Sequence, residues 1–344
     1  MTRHPLLLAV FTTDILTVLL LLAASATAVR IALHWNPQDT GAQQLRLQTQ
    51  SETATLAVAW AFGLQLLATA TLIYGMTNIL PGMVPGAMCG TGVLQAMQSG
   101  GPRMLIYRLA GLAILWIWWR IENVNQSQPE APLVPANARI VLLALPVFAL
   151  ALHAAWQAAL AMDFQQPVDC CAVIYDQFHS PEEARRTLGA GHTVWLTAFG
   201  VLTVALVASA VAAWKTPGRR WPHLLLAALA MAWLPIAGIA LVRVLAAYHY
   251  GVLHHHCPWC LFLPEHHLAG FPIWTAWIVV AMEAPAAAAL SLIAARQAPP
   301  AQTSACHQAG LAARNTLLAV LIFLCLTVGP ALWWRLRFGM WLTG

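Results

Sequence analysis

The sequence predicts an all-α membrane protein, a polytopic bundle of about eight transmembrane helices with no soluble domain. The chain of 344 residues is 60% hydrophobic and 8% charged, whereas about a quarter of the residues of soluble proteins are charged. Apolar runs of about 20 residues recur along the whole chain, and each is long enough to cross a hydrocarbon core of about 30 Å. Lipid is therefore the expected surrounding of the protein. The sequence has no basic face with interleaved aromatic residues, so we do not expect a nucleic-acid partner.

The apolar runs define eight spans within a single integral membrane domain, residues 1–344. We place them at approximately 6–33, 53–80, 103–119, 139–162, 193–214, 224–250, 271–295 and 311–334. The first run begins like a signal peptide but is too long for one, so we expect an uncleaved helix. It contains Asp14, whose carboxylate could pair with a neighbouring helix or reach the interface.

The distribution of basic residues indicates how the spans are oriented. Short basic loops favour the cytoplasm, and the most basic loop, between spans five and six, contains Lys215, Arg219 and Arg220. Placing it inside puts loops two, four and six outside, although Arg335 and Arg337 near the C-terminus favour the opposite orientation. We expect a protein of the cytoplasmic (inner) membrane.

Five of the seven cysteines lie in loops two, four and six. These loops share one face in either orientation, because two spans separate each from the next. The residues are Cys89, Cys170, Cys171, Cys257 and Cys260. On an extracytoplasmic face, disulfides between them could form and persist.

The most specific motif is the Cys-Pro-Trp-Cys run at 257–260. Pro258 is suited to the first position of a helical turn, which leaves Cys257 at the N-terminal end. Backbone amides there, together with His256, would stabilise a thiolate. Cys257 would then be the attacking sulfur and Cys260 the resolving one. Metal or haem-related binding and a purely structural cysteine pair remain open.

The adjacent cysteines Cys170 and Cys171 are expected to seek other partners, because a disulfide between neighbours strains the intervening peptide. They could exchange disulfides with Cys89 and the Cys257–Cys260 pair. The same thiolates could instead bind copper(I) or zinc with nearby imidazoles. The candidate imidazoles, which could also be merely solvated, are His254, His255, His256, His266 and His267.

Three polar residues are expected inside the membrane: His153, Arg243 and Glu283. Their similar predicted depth would allow them to form one cluster beneath the cysteine loops. It could bind a quinone headgroup or relay protons. Arg243 and Glu283 could equally form a structural ion pair. A b-type haem on His153 is disfavoured, because a second suitably placed histidine is missing.

The arrangement resembles the quinone-linked membrane thiol oxidoreductases of the DsbB and vitamin K epoxide reductase families. The resemblance implies that Cys257 and Cys260 form the pair near a membrane helix. It implies that Cys170 and Cys171, with Cys89, form the second group and that a quinone lies in the bundle. Those families have a smaller helix core, and their paired loop cysteines are not adjacent as they are here.

The leading hypothesis is a membrane thiol–disulfide oxidoreductase or electron-transfer subunit. It would exchange disulfides with an extracytoplasmic thiol protein or redox subunit and pass electrons to quinone. The competing hypothesis is a membrane protein that binds or delivers copper or zinc through the same cysteines and histidines. A third is a structural accessory subunit of a membrane complex.

Overall fold

A computed structural model describes residues 4–36, 41–128, 132–162, 166–170, 181–252 and 255–342. This part of the chain is all-α and contains no β-sheet. Its helices are α1 Pro5–His34, α2 Ala42–Tyr74, α3 Gly90–Ala96, α4 Gly100–Gln126, α5 Val134–Ala161, α6 Pro181–Lys215, α7 Arg220–Ala240, α8 Ala247–Tyr250, α9 Gly270–Ala294 and α10 Pro299–Phe338.

Eight helical stretches of the described chain are long and apolar enough to span a membrane. The predicted fold class and the predicted number of spans are therefore confirmed. Several helices are longer than their predicted spans: α10 has 40 residues and α4 has 27. The apolar run marks only the part that lipid can cover, whereas backbone hydrogen bonding continues the helix through polar residues beyond it.

Two of the spans end in irregular helical turns. After α2, a π-helical turn at Gly75–Ile79 and a 3₁₀ turn at Leu80–Gly82 lead into loop two. After α7, a π-helical turn at Leu241–Leu245 joins the short helix α8. Such π turns are rare and frequently occur near functional sites.

The contacts divide the chain into two compact units. The first consists of Met1–Met76, Leu94–Asp163 and Ala289–Ala309, and the second of Thr77–Val93, Phe164–Ala288 and Gly310–Gly344. The single membrane domain expected from the sequence stays a prediction.

In the second unit, an aromatic cluster forms the centre of a large apolar core. The rings of Phe199, Trp233 and Phe323 contact one another, with centroid separations of 5.1–6.2 Å. The Trp233 indole N–H donates to the Thr203 hydroxyl at 2.8 Å, so its one polar group is satisfied within the core. These ring contacts join three separate helices of the second unit.

In the first unit, α1 packs against α2 and α5, and α4 packs against α5. A buried ion pair joins α1 to α4: Arg108 Nη2 lies 2.5 Å from Asp14 Oδ2. Gln65 on α2 donates to the other Asp14 oxygen at 2.8 Å and accepts from Arg108 Nη1 at 3.0 Å. Of the two environments that the sequence left open for Asp14, the structure shows the paired one. The partner is necessary because a lone buried charge is very costly.

We expect Arg108→Leu to destabilise the first unit by about 3–5 kcal/mol, because it leaves the Asp14 carboxylate buried without its partner. The double variant Asp14→Leu/Arg108→Leu should recover most of this loss, since it removes both charges. Thermal unfolding of the detergent-purified protein would measure both changes. Equal melting temperatures for the single variant and the wild type would contradict the proposed role of the pair.

Candidate functional site

Four cysteines from three separate loops form a buried cluster in the second unit. They are Cys89, Cys170, Cys257 and Cys260, each at most 6% exposed. The sequence placed these residues on one face of the membrane, and the structure brings them into contact. Cys171 and His254, also named from the sequence, lie outside the described residues. The remaining described cysteines, Cys306 and Cys325, do not join this cluster.

The sulfur atoms lie close together without a disulfide bond among the described cysteines. Cys89 Sγ is 3.1 Å from Cys257 Sγ and 3.7 Å from Cys170 Sγ. The sulfurs of Cys89, Cys257 and Cys260 all lie within 4.8 Å of one another, so one metal ion could bind all three. Cys170 Sγ lies beside Cys89 Sγ but does not belong to this group of three sulfurs that are all within 4.8 Å of one another.

The local backbone directs the Cys257 and Cys260 side chains to the same point. A turn at Pro258 and Trp259 leads into a 3₁₀ turn over Cys260–Phe262. The Cys260 backbone N–H consequently points back and donates to Cys257 Sγ at 3.3 Å. The sequence analysis expected Cys257 at the N-terminal end of a helical turn, and the structure shows such an amide contact.

Hydrogen bonds to Cys257 Sγ shift the pKa values of Cys257 and Cys260 in opposite directions. The Cys260 and Cys89 thiols, the Thr91 hydroxyl and the Cys260 amide together lower the pKa of Cys257 to about 3, against the opposing effect of burial. The pKa of Cys260 is strongly raised, because its proton is held by the Cys257 sulfur. Burial chiefly raises the pKa of Cys170. Within the Cys257–Cys260 pair, the charge is therefore favoured on Cys257 and the proton on Cys260.

Two glycines allow the three loops to approach one another closely. Gly86 adopts a left-handed conformation at φ +77°, and a Cβ there would lie 2.2 Å from the Val168 carbonyl oxygen. Val168 N–H donates to the Pro85 carbonyl at 2.9 Å, which ties loop two to loop four beside Cys170. At Gly90, a Cβ would lie 2.5 Å from the Trp259 ring. Small side chains at both positions are therefore required for the cysteines to meet.

Tyr250 lies between the cluster and two of the predicted histidines. Its hydroxyl donates to the Cys257 carbonyl at 2.5 Å. The rings of His255 and His266 pack edge-on against it, with centroids at 4.4 and 4.6 Å. Burial is the main reason that the pKa values of both histidines are lowered, which favours neutral imidazoles near pH 7.

The other two described histidines of this stretch differ in their surroundings. His256 Nδ1 lies 3.3 Å from the Val242 carbonyl oxygen and is partly buried. His267 is exposed and adopts a left-handed backbone conformation at φ +56°. The solvated environment that the sequence allowed for these histidines therefore fits His267 best.

The three predicted intramembrane polar residues have different environments. Glu283 is buried and accepts a hydrogen bond from Asn315 Nδ2 at 2.9 Å. Arg243, in the π-helical turn, is exposed. His153 belongs to the first unit, where it is exposed and lies 3.1 Å from Gln157 Nε2. The predicted pairing of Arg243 with Glu283 and the predicted quinone or haem contacts stay predictions.

Sequence reasoning missed two residues of the site, Thr91 and Tyr250, and it missed Asn315, the partner of Glu283. Thr91 Oγ1 lies 3.3 Å from Cys257 Sγ. Its position two residues after a cysteine in a loop was the one available signal. The contacts of Tyr250 and Asn315 depend on how distant segments pack, which no local pattern indicates.

Comparisons with known proteins found no matching family model, no matching curated protein and no matching solved structure. The resemblance to the DsbB and vitamin K epoxide reductase families stays a prediction.

We expect Gly86→Ala to separate loops two and four, because its Cβ would overlap the Val168 carbonyl oxygen in an unfavourable backbone conformation. Cys89 and Cys170 should then react with maleimide at least tenfold faster than in the wild type. The matched control is Gly82→Ala in the same loop, where a Cβ would meet nothing within 4 Å. Equal labelling of the two variants, read by peptide mass spectrometry, would contradict this role of Gly86.

Proposed function

We propose that this chain is a membrane metal-binding protein whose centre is a thiolate site for zinc or copper(I). The ligands are Cys89, Cys257 and Cys260, and Cys170 lies beside them. The observation that supports the proposal best is the convergence of three buried sulfurs, all within 4.8 Å of one another, without a disulfide among the described cysteines.

The sulfur separations fit a single metal ion better than a disulfide. Zinc–sulfur bonds of about 2.3 Å in a tetrahedron place neighbouring sulfurs about 3.8 Å apart. The 3.1 Å between Cys89 and Cys257 requires only a small expansion to reach this value. Cys170 is 3.7 Å from Cys89 but would have to move towards the other sulfurs to become a fourth ligand. A disulfide, with sulfurs about 2.0 Å apart, would join at most two of the three.

The burial of the cluster also favours metal binding. A thiol that exchanges disulfides with another protein must be reachable, and reactive cysteines are accordingly at least partly exposed. Here Cys89 and Cys257 are 0% exposed, and Cys170 is 1% exposed. A closed, fully protein-ligated centre is typical of tightly held zinc.

The surrounding groups suit a thiolate–metal centre. The Cys260 amide and the Thr91 hydroxyl would stabilise the Cys257 thiolate after it binds the metal, as hydrogen-bond donors to metal ligands generally do. Neutral imidazoles of His255 and His266 lie around Tyr250 and could receive the ion before the thiolates do. Thiolates and imidazoles together are the preferred ligands of copper(I) and zinc. The cysteine loops would lie on the extracytoplasmic side of the inner membrane.

We expect the purified wild type to contain about one zinc or copper ion per chain, measured by elemental mass spectrometry. Serine substitution of Cys89, Cys257 or Cys260 should lower metal retention at least tenfold after dialysis against a chelator. Cys306→Ser and Cys325→Ser serve as matched controls, because these residues lie outside the cluster, and both variants should keep the metal. A wild type that holds no metal after purification and takes up none on reconstitution would contradict the proposal.

A second candidate function is thiol–disulfide exchange, which the acidity contrast between Cys257 and Cys260 favours. A substrate dithiol would attack a Cys257–Cys260 disulfide, form a mixed disulfide and leave as a disulfide, which returns Cys257 and Cys260 to the dithiol. A membrane quinone would take two electrons and two protons from that dithiol, which re-forms the Cys257–Cys260 disulfide and gives a quinol. Cys89 and Cys170 would be the internal exchange partners.

If this second function is correct, the reduced, metal-free protein should contain a thiolate. That thiolate should be present at pH values well below those at which ordinary thiols ionise. Because the pKa of Cys257 is about 3, thiolate absorbance at 240 nm should stay constant between pH 5 and pH 8. It should decline only as the pH falls towards 3. Cys257→Ser should remove this plateau, whereas Cys325→Ser should not. Absorbance that rises only near pH 8–9, where free thiols titrate, would contradict it.

A further inference from the structure

The first unit contains a large cavity that the proposed function does not use. Its walls come from α4, from the start of α5 with the residues before it, and from the end of α9 with the turn after it. About 400 Å³ of this space is open to the centre of a water molecule. Ligand pockets have volumes of about 300–1,000 Å³, so the cavity is large enough for an organic group.

Two arginines line this cavity. Arg139 lies on the second turn of α5, and Arg296 lies in the turn that follows α9. Both are exposed, and within the described part of the chain neither forms an ion pair with a carboxylate. Two like charges beside one cavity repel each other, and an anion bound between them removes this repulsion. The cavity therefore favours a negatively charged ligand.

The rest of the cavity wall is largely aliphatic. Ile121 and Leu133 are buried and belong to an apolar cluster of the first unit. Leu292, near the end of the spanning helix α9, is 46% exposed, so the apolar part of the cavity is open to the surrounding lipid. Leu292 precedes Arg296 by four residues, which is about 6 Å along a helix. A ligand therefore meets positive charge at one end and an apolar wall about one turn deeper.

Hydrogen bonds hold the two segments that carry the arginines. The Leu133 N–H donates to the side-chain oxygen of Asn125 on α4 at 2.8 Å, and the Asn137 N–H donates to the Leu133 carbonyl at 2.9 Å. These contacts fix the start of α5 against α4. The Arg296 N–H donates to the Ile293 carbonyl at 2.9 Å, which continues the helical path beyond α9. Only the arginine side chains therefore need to be ordered when a ligand binds.

The two arginines lie at the same surface of the membrane. Arg139 follows loop three and Arg296 lies in loop seven, and the four spans between these loops return the chain to the same side. Basic pockets between transmembrane helices at the membrane surface bind anionic lipid headgroups. The planar guanidinium of arginine is suited to this role, because it donates two parallel hydrogen bonds to a phosphate.

We propose that this cavity binds an anionic phospholipid, whose phosphodiester contacts Arg139 and Arg296 and whose acyl chain passes over Leu292. Such a lipid combines the two features that the cavity requires, a negative group at the membrane surface and an apolar chain below it. A soluble phosphate ester would leave the aliphatic wall uncovered. A zwitterionic lipid would bring its own ammonium group towards the two arginines, which opposes binding.

The test is native mass spectrometry of the full-length protein released from detergent and titrated with phosphatidylglycerol, phosphatidylethanolamine or glycerol 3-phosphate. We expect one phosphatidylglycerol per chain to bind at least tenfold more tightly than either of the other two. Arg139→Gln/Arg296→Gln should weaken phosphatidylglycerol binding at least tenfold, because it removes both charges. The matched control is Arg30→Gln/Arg46→Gln, which removes two exposed arginines of the same unit that do not line the cavity.

A second variant keeps the proposal testable if the arginine variant does not fold. Ala136 also lines the cavity, so Ala136→Phe fills part of it without changing any charge and should weaken phosphatidylglycerol binding at least fivefold. Three results would overturn the proposal. They are equal binding of phosphatidylglycerol and phosphatidylethanolamine; glycerol 3-phosphate binding as tight as that of the lipid, which would indicate a site for free phosphate esters; and lipid binding that neither the arginine variant nor Ala136→Phe weakens more than the control does.

Discussion

The need to hydrogen-bond every backbone amide inside the lipid governs this structure. A hydrocarbon core offers no water to an open N–H or carbonyl group, so a spanning segment must satisfy its own backbone, as a helix does. Most of the chain accordingly forms eight long apolar helices. Irregular backbone is then confined to the ends of the spans and the loops, and the cysteines of the cluster lie there, with the glycines that let them meet.

The same requirement explains what the sequence could predict. Helix number and approximate position follow from apolar runs such as that of α1, because length and hydropathy alone decide whether a segment can cross. The ends of the helices were less well predicted, since α10 continues well past its apolar part on both sides. The division into two compact units could not be anticipated, because it depends on which helix surfaces fit together.

The sequence predicted which cysteines form the site but not how they are arranged in space. The even number of spans between loops two, four and six places Cys89, Cys170 and Cys257 on one face whatever the packing. Cys89 Sγ comes within 3.1 Å of Cys257 Sγ and 3.7 Å of Cys170 Sγ. These approaches depend on the left-handed Gly86 and on the contact of Gly90 with Trp259. Neither a conformational angle nor a contact between loops can be derived from residue spacing. Burial, which distinguishes a closed metal centre from an accessible redox pair, is likewise a property of the folded chain.

The sequence separation of the clustered cysteines has a consequence for the assembly of the protein. Cys257 follows Cys89 by 168 residues, so a ribosome making about 5–20 residues per second needs roughly 8–34 s to produce the second after the first. During that interval loop two has already been synthesised, whereas the helices that position the motif of loop six have not yet all been made. Cys89 must therefore survive as an unprotected thiol until the sixth span is inserted. A compartment or chaperone that keeps it reduced would then determine how much of the newly made protein acquires its site.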